Sequence, residues 1–142
     1  MKSTFVRSIV FASAALVLGV AAYAQATQKM VADIGFSFRS VSSELPAGRY
    51  TVTMTNTTGN PVFHIYNRAS GKSVLVGATY HLSPKPHTAP HLTFRCDSVT
   101  CALSEIWIGE GEPGYHAPKV KLTPGEKERL AVVPLTFGSK AD

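Results

Sequence analysis

Three histidines, His81, His87 and His91, crowd a proline-rich stretch, Leu82-Ser-Pro-Lys-Pro-His-Thr-Ala-Pro90. Imidazoles converging on one point hold copper or zinc, so these three are the candidate ligands of a metal centre. No H-E-x-x-H or comparable ligand frame accompanies them, and exposed loop histidines account for the same pattern. The other two histidines, His64 and His116, lie elsewhere. Carboxylates are sparse. Glu110 and Glu112 sit in a glycine-rich loop, Gly109-Glu-Gly-Glu-Pro-Gly114. Glu105 stands out because an ideal strand puts it on one face with Leu103 and Trp107. Desolvation would then raise its pKa or an Arg would hold it, unless a bulge turns it outward. A lone acid does not make a glycosidase, which needs two. No G-x-S-x-G marks a nucleophile. Trp107, Tyr115 and Tyr66 could line a carbohydrate or peptide groove, although core packing also explains Trp107. This set of residues names no catalytic and no cofactor-binding position, and the expectation is a protein that is not an enzyme.

The two cysteines carry a firmer expectation. Cys96 and Cys101 bracket Asp97-Ser-Val-Thr100, and their flanks, Leu92-Thr-Phe-Arg and Ala102-Leu-Ser-Glu-Ile-Trp-Ile, are strand-like. As a hairpin with a four-residue loop, the two stand opposite each other, within the Cα range a disulfide accepts. Their spacing is not the C-x-x-C of thiol oxidoreductases, and two Cys alone make a poor zinc site. The expectation is a Cys96–Cys101 bridge.

The elements that position these residues begin after an export leader. Lys2 and Arg7 form a positive n-region, Ser8 to Val20 an apolar run, and Ala22-Tyr-Ala24 with Ala24-Gln-Ala26 offer small residues for cleavage after Ala24 or Ala26. The apolar run is short for a spanning helix. Residues 1–24 therefore read as a signal peptide, 27–136 as one domain and 137–142 as a tail. The product is secreted or periplasmic, an oxidising location that suits the disulfide. Losing Lys2 and Arg7 leaves twelve Lys and Arg against nine Asp and Glu, a net charge of +3. These cations are scattered, whereas nucleic-acid binding asks for a concentrated basic stripe. No nucleic-acid partner and no transmembrane anchor are expected.

Period-two alternation runs through the domain. Ala32 to Phe38 places Ile34, Phe36 and Phe38 on one face. After the turn Leu45-Pro-Ala-Gly48, Arg49 to Thr55 sets Tyr50, Val52 and Met54 against three threonines. Pro61 can start a strand over Val62 to Asn67. A strand over Ser73 to Tyr80 follows, with Gly77 as a bulge or close-approach point. The cysteine hairpin supplies two more, Tyr115 to Leu122 a weaker seventh, and Arg129 to Leu135 an eighth. Residues 124–131 read either as Pro124-Gly125 turning into that strand or as a short capped helix. Leu130 and Val132 alternate and Pro134 limits a helix, which favours the turn. Six to eight short strands make an all-β protein, a small antiparallel meander closing as a β-sandwich or small barrel. An outer-membrane barrel would need longer strands with an apolar lipid face.

Ala32-Asp-Ile-Gly-Phe-Ser-Phe38, Leu45-Pro-Ala-Gly-Arg-Tyr-Thr-Val52, Ser70-Gly-Lys-Ser73 and Leu103-Ser-Glu-Ile-Trp107 occur in this order. Their succession resembles small exported β proteins of soil bacteria, mainly acidobacteria, with the pattern LPAGxYxV, GKS, LSEIW. The resemblance spans residues 31–130. It implies export and a β-fold and transfers no functional residue. The Cys96/Cys101 pair and the longer proline–histidine segment depart from the group. The resulting expectation is an exported soluble β-domain, a non-enzymatic binding or structural component of the envelope surface. The alternative is a histidine-based periplasmic metal-binding module.

Overall fold

The computed structural model describes residues 28–41, 43–55, 59–125 and 127–138. The leader expected over residues 1–24, both expected cleavage points and residues 139–142 of the tail lie outside them. The described chain forms twelve strands and no helix: β1 (Lys29–Ile34), β2 (Phe38–Ser40), β3 (Ser43–Leu45), β4 (Gly48–Met54), β5 (Val62–Asn67), β6 (Ser73–Gly77), β7 (Tyr80–Leu82), β8 (His91–Cys96), β9 (Cys101–Trp107), β10 (Gly114–His116), β11 (Arg129–Pro134) and β12 (Thr136–Phe137). They build two packed sheets and no closed barrel. The first has the order β12-β1-β4-β5-β6. The second has β11-β8-β9-β10-β7, with β2 and β3 joined beside β9.

The alternation in β4 is realised residue by residue: Tyr50 and Val52 are buried, Met54 packs on the core, and Thr51 and Thr53 face outward. Tyr50 Oη donates to Pro46 O at 2.5 Å, tying the turn to the strand it starts. Gly48 is required there by close approach, since a Cβ would lie 2.6 Å from Asn67 Nδ2. Asn67 closes the next hairpin, its Oδ1 accepting from the N–H groups of Ala69 and Ser70 at 2.9 and 3.1 Å. Pro61 precedes β5, as its missing N–H demands.

Three long strands in the sequence prove to be shorter pieces. The run from Ala32 to Phe38 breaks at Gly35–Ser37, where the chain passes from the first sheet to the second. Ile34, Phe36 and Phe38 still reach one core, because both sheets face it. The run from Ser73 to Tyr80 breaks at Ala78–Thr79 for the same reason. Gly77 there is neither bulge nor close approach: it pairs regularly with Val62, and a Cβ on it would meet open space. The weak strand from Tyr115 ends at His116, and Pro118, which has no N–H to donate, follows the last ladder-like bond, Ala117 N–H to Ser104 O. Of residues 124–131, the described ones form a turn at Pro124–Gly125 and, from Arg129, the start of β11.

The meander holds for β4-β5-β6 and β8-β9-β10. The chain crosses between sheets four times, from β1 to β2, β3 to β4, β6 to β7 and β11 to β12, and β2 lies parallel to β9, with Phe38 beside Cys101. Phe38 joins the layers, its ring meeting Tyr50 and Phe94 edge-on at 5.4 and 5.1 Å between centroids.

Candidate functional site

Cys96 and Cys101 pair in register at the tip of β8–β9 and form a disulfide, with Cα atoms 4.0 Å apart. Asp97 fixes the loop between them. Its Oδ1 accepts from the N–H groups of Val99 and Thr100 at 2.8 and 2.6 Å, and its Oδ2 from Thr123 N–H at 3.0 Å. Three backbone donors, Thr123 first, hold this carboxyl far below the usual carboxylate range. Nearby, the Arg95 guanidinium grips Glu128 through two bonds of 2.9 and 2.8 Å and lowers its pKa as well.

From the tip the register runs regularly to Phe94 opposite Leu103, then slips. Thr93 faces Glu105, so Ser104 is the extra residue of a bulge. The slip decides what the second sheet shows to solvent. Leu103 stays in the core, while Glu105 turns outward. Trp107 is buried but stands apart from the main hydrophobic cluster between the sheets. Only 2% exposed, it is buried on the outer side of the sheet with Glu105, whose Oε2 accepts from the indole N–H at 2.9 Å. The ring lies over Gly114, where a Cβ would come within 2.7–2.8 Å of it; only a bare backbone lets the indole settle there. His91, its cross-strand partner, stacks beside it at 5.9 Å. The Lys85 ammonium, reaching down from the proline-rich segment, stands 4.9 Å from the ring centroid, within cation–π range.

The proline-rich segment thus acts as a strap over the indole. Besides Lys85, its contacts include His91 Nδ1 on Ala89 O at 2.7 Å, and His87 on Glu110 Oε1 through its backbone N–H at 3.3 Å and its ring at 3.4 Å. His116 Nδ1 stands 4.0 Å from Glu105 Oε1 and borders a cleft of about 570 Å³ lined also by Thr79, Arg95, Ser104 and Lys119.

The three candidate ligands have separate surroundings. His81 lies edge-on to Tyr115 at 5.1 Å, His87 turns to Glu110, and His91 stacks on Trp107. Among the described residues, no group of three or more His, Cys, Asp or Glu could hold a metal ion. Tyr115 is nearly buried against Phe63, whereas Tyr66 lies on the outside of the first sheet, stacked with His64. Sequence reasoning named Trp107 as a possible groove residue beside Tyr115 and Tyr66, but it did not place the ring on Gly114 or on the outer side of the sheet. The one available sign was a glycine, Gly114, in position to pair with a tryptophan.

Among the described residues no helix is long and apolar enough to cross a membrane. Comparison with known proteins gives no matching family model, no matching curated protein and no matching solved structure.

Proposed function

We propose that this is an exported, non-enzymatic β-sandwich of the cell envelope that binds the sugar chain of an envelope polymer on the Trp107 platform. The observation that carries the reading is the position of Trp107. A large aromatic ring lies outside the core, flat on a glycine, with a carboxylate fixed on its N–H and a lysine above its outer face. The indole is 2% exposed under the strap; with Lys85 and the strap displaced it would offer stacking area to the apolar face of a pyranose, and Glu105 and His116 flank it with hydrogen-bonding groups. The strap over it is mostly exposed and held by contacts open to water, so it can yield to a ligand. The disulfide and the ordered motifs shared with small exported acidobacterial-type proteins support a secreted or periplasmic location.

Trp107 is the only tryptophan in the chain, so its emission reports on the site directly. Titration with soluble cell-wall glycan fragments is expected to change that emission saturably. Lys85→Ala, which clears the outer face of the ring, is expected to tighten binding severalfold. Unchanged emission in both proteins, at glycan concentrations up to the millimolar range, would refute the assignment.

A further inference from the structure

We infer that the exposed edge of β6 is an interface for a second copy of this chain, joined by a two-fold axis at Leu75. Among the described residues β6 ends the first sheet and pairs only with β5. Its sequence, Ser73-Val-Leu-Val-Gly77, holds no charge and no proline, and Leu75 is 62% exposed on the outer face. Bare sheet edges attract other strands, and proteins ordinarily blunt them with charge, proline or short length. The other edges are blunted: β11 carries Arg129 and Pro134, β3 has three residues with Glu44 among them, β7 has three and β12 two.

The backbone of β6 is set for such pairing. Asn67 N–H donates to Lys72 O and Ala78 N–H to Pro61 O, which places the hydrogen-bonded pairs with β5 at even-numbered residues of β6. Antiparallel ladders alternate. The N–H and C=O groups of Val74 and Val76 therefore point to β5, and those of Ser73, Leu75 and Gly77 point away from it.

The choice of a second copy follows from the sequence of the strand, which is nearly palindromic about Leu75. In an antiparallel pair centred there, Leu75 meets Leu75, Val74 meets Val76 and Ser73 meets Gly77. Every outward backbone group from Ser73 to Gly77 finds a partner. The flanking Lys72 falls opposite Ala78, so no like charges oppose each other. Such an isologous contact closes on itself and leaves no further edge at that site. It would merge the two first sheets into one continuous sheet.

Sedimentation of the processed, exported protein over a range of concentrations tests this. A dimer is expected, with Leu75→Lys weakening association by at least about tenfold. Leu130→Lys, on the exposed face of β11, is expected to leave association unchanged. A monomer at millimolar concentration overturns the proposal. So does loss of the dimer in Leu130→Lys but not in Leu75→Lys. Amide hydrogen exchange of the unsubstituted protein decides independently of any variant. The amides of Ser73, Leu75 and Gly77 are expected to exchange more slowly in concentrated than in dilute solution, and equal rates would overturn the interface.

Discussion

Asp97 joins two segments that are distant in sequence, the disulfide loop and the chain entering the Pro124–Gly125 turn. Its folded-state pKa lies below the ordinary value of 3.8, so the stabilisation is fully present above that value and is lost as the pH falls toward the folded pKa. Asp97→Asn keeps one acceptor oxygen and loses the one that serves Thr123. Its melting temperature is expected to lie below that of the parent at neutral pH, with the gap narrowing below pH of about 4. Melting curves from pH 7 to pH 2 that stay parallel would contradict this. At the residue scale the sequence was informative where chemistry is local. Cys96 and Cys101 were readable because their spacing in a hairpin and the expectation of export both favour a bridge. Trp107 was named as a possible groove residue, but its face was not readable, because it depends on the bulge at Ser104, and a bulge arises from pairing with β8 rather than from any pattern within β9.

The β8–β9 hairpin is pinned by three devices: the bridge, the Asp97 turn and the bulge. Replacing both cysteines by serine removes one of them. The loop it closes is short, so the loss is expected to be roughly 2 kcal/mol, measured by urea unfolding with an unchanged m-value. A changed m-value would mean that the register itself depends on the bridge. Elements with one exposed face, β4 and β5, were legible almost to the residue because alternation there reports a single sheet. The runs through Gly35 and Ala78 read as unbroken strands because an inward-facing residue stays inward when the chain steps across to the other sheet. The parallel pairing of β2 with β9 left no mark, since it joins segments about sixty residues apart and depends on no short-range rule.

Protection against exchange should follow the layering of the molecule. The amides of β4, β5, β8 and β9, central in their sheets, are expected to exchange slowest. Those of β7, β12 and the strap are expected to exchange first. Strap amides as slow as those of β9 would mean that the Trp107 face is sealed, and the proposed site with it. An all-β fold, as a sandwich or a small barrel, was readable from composition, turns and alternation, but the choice between the two and the strand order were not, because the chain passes between sheets at Gly35–Ser37, Pro46–Ala47, Ala78–Thr79 and Leu135. These passages thread each half of the polypeptide through the other's ladder. A protease that severed the backbone at Ala78 would leave β1 stitched to β12 and β2 stitched to β9. The two fragments would travel as one particle until a denaturant unpicked the seam.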